Sequence, residues 1–337
     1  MLVWHGAVLR AFSSRACVKS RGYSLPLQRA ITDFGVEESF VRAAARLKEH
    51  YRIDVPPSAI REITETHAAA AAKFAVRDAG SEAPVVQCII AEMDGSMIPM
   101  VRMEAGDAQE TKDRRKLRKT EWKEARLCVA QAQGSVTSRY GVSFGSTGEA
   151  GLALFRTAHQ VGFGNGTAVH GVGDGAAWIP EQFEAQFGAS ASYLLDLFHL
   201  CDYLAPVAAT CSPSNPALWL ENQKQLLKAN RWKQVLNELE AHLEPEALPD
   251  EQAPARCAHR YISRRTGQLD YAGAIAAELP IGSGLIESAH RHILQQRLKI
   301  AGAWWKHENA SAIAQLRVLR ANHRWNPYWI SLSLKAA

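Results

Sequence analysis

The sequence predicts an α/β fold in which a mixed sheet follows a helical region and is interrupted by a large helical insertion. Three observations predict it. Apolar residues before position 80 recur at helical spacing, short apolar runs between 85 and 199 alternate with helical stretches, and the strand signal stops after His199. The order of those runs is three strands, helix, strand, helix, strand, unlike the repeating βαβ of a doubly wound sheet. The expected divisions are 1–22, unassigned and a candidate for disorder; 23–80, helical; 81–199, the first part of the sheet core; 200–278, the helical insertion; and 279–337, closing helices of the core.

In the amino-terminal region, helical spacing covers Pro26 to Phe34 and Glu38 to Tyr51, with Phe40, Ala43, Ala44 and Leu47 on one stripe. A third helix opens at Pro57, with Ser58 available as its cap. Two helices joined by a short turn fit a DNA-binding helix-turn-helix as well as a plain helical hairpin.

Residues 85–93, VVQCIIAEM, form a nearly continuous apolar run rich in β-branched residues, the mark of a strand buried on both faces. They end at Asp94-Gly95, a tight-turn signal, after which 96–103 is expected to pair back as a second strand. A dense basic segment follows, ETKDRRKLRKTEWKEAR, either a solvated loop or a surface for phosphates. A third strand is expected from about Trp122 to Gln133, a helix from Glu149 to Val161, a fourth strand at 167–175, a helix from Pro180 to Phe187 and a fifth strand at 191–199. The amphipathic stretch LWLENQKQLLKANRWKQVLNELEAHL marks the insertion as helical, and a helix starting near Ser283 returns the chain to the core.

Bulk properties narrow the function classes. The formal charge of +5 suits a polyanionic partner without requiring one. Six cysteines with no CxxC pair argue against a zinc ribbon or a disulfide framework and suit reduced thiols in a cytoplasmic protein. No apolar run approaches the ~18 residues of a membrane span. The opening MLVWHGAVLRAFSSRACVKSR is basic and free of acids, but its apolar core is too short for a secretory signal.

Asp94 and Asp174 share a local design, an apolar strand ending in Asp-Gly. Two such aspartates at neighbouring strand ends would gather oxygens suited to a hard divalent cation. Glu287, in the first turn of the helix after Ser283, sits on a stripe that continues through His290, Arg291, Leu294, Leu298, Ala301 and Trp305. That places it on the expected buried face, where a glutamate needs a partner: a metal ion, Arg291, or the helix dipole. Alternation puts Glu92 on the same side of its strand as Asp94, and the Asp-Gly pattern favours Asp94. Asp196 and His199, on the fifth strand, either orient a ligand from behind or are satisfied polar groups of the core.

EMDGSMIPM, GDGAAWI, LLDLFHLCDYL and above all GSGLIESAHRHILQQRLKIAGAWW resemble the Kra-type family of bacterial insertion-sequence transposases, over residues 22–327. The resemblance implies an RNase H-like fold with a DDE triad of Asp94, Asp174 and Glu287 holding two Mg2+ or Mn2+ ions. It implies cleavage and joining of double-stranded DNA at element ends, by an enzyme that is a homo-oligomer in the synaptic complex and is cytoplasmic, at the nucleoid when bound to DNA. Arg291, Arg297, Lys299 and Lys306 then become candidate phosphate contacts, and Trp304 and Trp305 candidates for stacking on a splayed base or for core packing. The family usually carries a Cys-rich amino-terminal segment that this sequence lacks, which would make the chain a shortened copy. A non-transposing RNase H-like nuclease and an inactive DNA-binding remnant are the competing readings.

Overall fold

The computed structural model describes residues 2–4, 7–9, 22–77, 83–103 and 118–334. Leu2–Trp4 pairs with Ala7–Leu9 in a short antiparallel ladder. Residues 110–117 of the basic segment lie outside the described residues.

Three helices open the main body: α1 (Leu25–Glu37), α2 (Phe40–Tyr51) and α3 (Pro57–Arg77). Ser39 starts α2 by accepting a hydrogen bond from the Arg42 N–H, and Arg52, with φ of 59°, ends it in the left-handed conformation. Helix α3 begins at Pro57 itself, so Ser58 lies inside its first turn instead of capping it. Ile31, Ala43, Leu47, Ile60 and Ile63 form a core of their own between these helices. On the other side, Val36, Ala68 and Ala71 join a larger core with Ile98, Leu127, Leu294, Leu316 and Tyr328.

The sheet has five strands: β1 (Cys88–Met103), β2 (Arg118–Ala132), β3 (Ser138–Ser143), β4 (Ala168–Gly173) and β5 (Ala191–Leu195). Their order is β3-β2-β1-β4-β5. The β1/β2 and β2/β3 pairs are antiparallel, and β4 and β5 run parallel to β1. Helices α4 (Thr147–His159) and α5 (Trp178–Phe187) make the crossovers, α4 opening with a reciprocal cap between Ser146 and Glu149.

Three sequence expectations fail here. Asp94-Gly95 is not a turn, because β1 runs unbroken through it, with Asp94 opposite Leu127 and Gly95 opposite Arg126. Both halves of β1 pair with one long partner, so the hairpin connection falls in 104–117. What Gly95 provides is room, since a Cβ there would collide with the Glu124 carboxyl group. Second, β3 was not expected; its residues, SRYGVS, carry a central glycine and little apolar character. Third, β5 stops at Leu195, and Asp196 caps helix α6 (Leu197–Leu204) by accepting from the Phe198 and His199 N–H groups. His199 therefore belongs to a helix.

The insertion contains α7 (Pro216–Lys228), α8 (Trp232–Glu240), α9 (Pro254–Ser263) and α10 (Tyr271–Ala276) around a core of Leu200, Leu204, Leu227, Val235, Leu239, Ile262 and Tyr271. The chain then returns as α11 (Gly284–Ala289), passes through a π-helical turn at His290–Gln295, and continues to Leu298. Helices α12 (His307–Ala321) and α13 (Trp325–Leu334) complete it. Among the described residues no helix is long and apolar enough to cross a membrane. The described cysteines, Cys88, Cys128, Cys201, Cys211 and Cys257, are all free thiols.

The amino-terminal helices are tied to the closing ones by buried polar contacts. Arg317 donates to the carbonyls of Val36, His292 and Ile293 and pairs with Glu37. His67 lies between Tyr328 Oη at 2.8 Å from Nδ1 and Gln28 Oε1 at 2.9 Å from Nε2. Gln28 donates its amide to the Tyr23 carbonyl, so its Oε1 accepts and the His67 proton sits on Nε2. Burial holds the His67 pKa down at about 4, from 6.5. The unfolded chain thus takes up the proton first, and the stability this neutral histidine supports is complete above pH 6.5 and lost as pH falls toward 4. The urea midpoint is expected to drop between pH 7 and pH 5, and the drop to shrink in His67→Gln.

Candidate active site

The parallel register of β1 and β4 pairs Glu92 with Val172. Two residues further along the chain stand Asp94, still in β1, and Asp174, just past the end of β4, near enough for the Asp174 charge to act on Asp94. Asp94 lies within β1, its side chain 37% exposed, and its Oδ1 accepts the Gly95 N–H at 2.6 Å. Partial burial, with the Asp174 charge adding to it, raises its pKa to about 6 against the lowering effect of the Gly95 N–H and of His199. The ring of His290, from the π-helical turn, comes within 3.2 Å of Asp94 Oδ2 without the alignment of a hydrogen bond. Burial lowers the His290 pKa to about 4, so the imidazole is neutral at pH 7 and the contact is not an ion pair.

Asp174 follows β4 directly, where the chain leaves the sheet. Gly175 has φ of +79°, and this second Asp-Gly does make the sharp exit that the sequence suggests. The insertion holds this exit from the far side. Tyr261 donates its hydroxyl to the Asp174 carbonyl, and Arg265 donates from Nε (3.1 Å) and Nη2 (2.9 Å) to the Gly175 carbonyl while lying 4.0 Å over the Tyr261 ring. Neither residue stands out in the sequence, because their function depends on the insertion folding back onto β4. A Cβ on Gly175 would meet Leu195 Cδ1 at 2.5 Å and Arg265 Nε at 2.7 Å. Gly175→Ala is expected to cost about 1–3 kcal/mol from the left-handed backbone and the displaced clamp, read as a lower urea midpoint.

Asp196 is buried, and its four lone-pair positions are all in use. Oδ1 accepts from Phe198 N at 2.6 Å and His199 N at 3.2 Å, while Oδ2 accepts from the backbone N–H (2.7 Å) and hydroxyl of Ser283. One carboxylate thus joins the first turn of α6 to the residue that opens α11. Of the two sequence readings of Asp196, this is a satisfied polar group, and it also ties two helix starts together.

Glu287 departs from its expected position. It is exposed, and Ile286, Ala289, His290, Ile293, Leu294, Arg297 and Leu298 form the buried stripe instead. That stripe keeps three- and four-residue spacing but runs one position earlier than expected, so Arg291 is also exposed and the stripe drawn through Glu287, Arg291 and Ala301 does not hold. The interior acid beside α11 is Glu92, fully buried, whose Oε2 accepts the Ile286 N–H at 2.8 Å. Burial, with the charges of Asp196 and Glu287 adding to it, raises its pKa to about 8, and its Oε1 has no hydrogen-bond partner. Alternation along β1 could not separate Glu92 from Asp94; depth does, leaving Asp94 accessible and Glu92 enclosed.

The ligating atoms of Asp196, His199 and Glu287 lie within 4.8 Å of one another. Asp94 and Asp174 flank that group without belonging to it.

Of the candidate DNA contacts, Arg291, Lys299, Lys306 and Trp304 are exposed, Trp304 at 54%. Arg297 is corrected: it is 2% exposed, donates to the Gly35 carbonyl at 3.2 Å from Nε and 3.1 Å from Nη2, and lies 4.7 Å from the ring centres of both Phe40 and Trp305. An arginine so enclosed cannot reach a phosphate. Trp305 is likewise interior and donates its indole N–H to the Leu298 carbonyl. No protein-family model matches this chain, and no curated protein matches it significantly.

Proposed function

We propose that the chain is an RNase H-like DDE transposase of the Kra-type insertion-sequence family, cleaving and joining DNA strands at the ends of its element. The observation that carries this reading is the parallel pairing of β1 with β4, the central neighbours of a sheet ordered β3-β2-β1-β4-β5, which brings Asp94 and the Asp174 that follows β4 close enough for their charges to interact. Support also comes from α11, whose first turn is tied to the sheet through Glu92 and to α6 through Asp196, so that Glu287 is presented on the same side.

The donor chemistry fits a hard or borderline divalent cation: carboxylate oxygens at several depths, one buried oxygen without a partner, and no Lys or Arg ion-paired to Glu92, Asp94, Asp174, Asp196 or Glu287 among the described residues. Asp94, Asp174 and Glu287 would hold Mg2+ or Mn2+, which supplies activation of an attacking hydroxyl and neutralisation of charge on the phosphate. The protein's own contribution is positioning. The Tyr261 and Arg265 clamp fixes the backbone under Asp174, and β1 holds Asp94 on two sides. Exposed Arg291, Lys299 and Lys306 extend from the same helix and the loop beyond it, with Trp304 available to stack on a base.

The test is Mg2+-dependent cleavage and joining of DNA carrying the terminal repeats that flank the coding region. Asp174→Ala is expected to abolish both, and specific binding of those ends with no cleavage under any divalent ion would reject the enzyme in favour of a binding remnant.

A further inference from the structure

The group formed by Asp196, His199 and Glu287 is not the triad, and its members are not equivalent. Asp196 has no lone pair to spare, being occupied by two N–H groups on one oxygen and by Ser283 on the other. Its effect is to bring two helix starts together, α6 carrying His199 and α11 carrying Glu287. Among the described residues neither the His199 imidazole nor the Glu287 carboxylate has a hydrogen bond or an ion pair, yet their ligating atoms are within 4.8 Å. A second observation lies next to it. Glu92, fully buried, has an Oε1 with no partner and lies against Asp196 and Glu287. An exposed carboxylate and an imidazole within reach of each other, beside a buried carboxyl group and with no Lys or Arg ion-paired to them among the described residues, leave a place for a cation.

We propose that His199 and Glu287 are protein ligands of one divalent cation, with the imidazole giving this position a preference for a first-row transition ion such as Mn2+ over Mg2+. Imidazole nitrogen is a good ligand for first-row transition ions, whereas Mg2+ favours oxygen donors and retains its water. Carboxylate oxygens on the Glu287 side and a nitrogen on the α6 side make a mixed set, and Asp196 holds it as a positioning residue. The inference rests on reading Glu287 as a metal ligand, but it does not need the chain to transpose DNA.

The experiment uses the full chain without DNA, titrated with Mn2+ and examined by pulsed electron paramagnetic resonance for 14N coupling from a directly bound imidazole. The expected result is a 14N coupling in the unaltered protein, its disappearance in His199→Ala, and Mn2+ affinity weaker by about tenfold or more in both His199→Ala and Glu287→Gln. The coupling should persist in Asp94→Asn, which separates His199 from the His290 ring beside Asp94. Circular dichroism and melting temperature serve as folding controls; the His199 and Glu287 side chains have no hydrogen bonds among the described residues, so both variants should match the parent. Failure to bind Mn2+, binding without 14N coupling, or coupling that survives in His199→Ala would overturn the proposal. Coupling found in a protein that never cleaves DNA would remove the transposase reading and leave this site standing. Metal-dependent cleavage with no 14N coupling would do the reverse.

Discussion

Arg297→Ala is expected to lower the free energy of unfolding by about 3–4 kcal/mol, read as a shift of the urea midpoint at unchanged slope. The guanidinium donates twice to the Gly35 carbonyl near the end of α1, and its plane lies against both Phe40 of α2 and Trp305. Truncation empties that space and takes both donors from a buried carbonyl. Burial already lowers the Arg297 pKa to about 10, with Arg317 adding to the shift, so the side chain remains charged at pH 7. Lysine at this position would keep the charge but lose the flat face and one of the two N–H contacts, and is expected to recover only part of the loss. If Arg297→Ala instead left stability intact and weakened DNA binding, the interior placement of this side chain would be contradicted.

Glu287→Gln has the opposite signature. The side chain is exposed and unpaired among the described residues, so stability should move by no more than about 0.5 kcal/mol. Divalent-metal-dependent strand cleavage should fall by a factor of about 100 or more, roughly 3 kcal/mol of transition-state stabilisation. An amide keeps the shape of the carboxylate and removes its charge, which separates a ligand from a packing residue. Cleavage at the unaltered rate would remove Glu287 from the proposed triad.

These two residues lie ten positions apart on one helical segment, and the sequence ranks them wrongly by depth. Helical spacing put Glu287 inside, and the family resemblance gave Arg297 to the DNA. The buried stripe does have helical spacing, but it starts at Ile286 and not at Glu287, and a phase difference of one residue is decided by what the helix packs against and not by the pattern of residue types. The paired Asp-Gly motifs went the same way. Asp174-Gly175 is an exit with φ of +79°, while Asp94-Gly95 lies flat in a long strand. A local turn signal is decided by whether the flanking segments pair with each other or with a third strand, and that partner, β2, is more than twenty residues away in the chain.

The sequence by itself determined the alternation of sheet and helix, the helical nature of 200–278, the apolar strands under Asp94 and Asp174, and the gathering of acids near them. Those features follow from local periodicity and composition, which act over a few residues. Only the tertiary structure decided which acid is enclosed, which strand edge Asp196 leaves, that Tyr261 and Arg265 clamp Asp174 from the insertion, and that His199 and Glu287 meet. Each of these depends on contacts between residues 87 to 194 positions apart, where burial and hydrogen bonding are set by the packing of whole elements and not by the identity of neighbours in the chain.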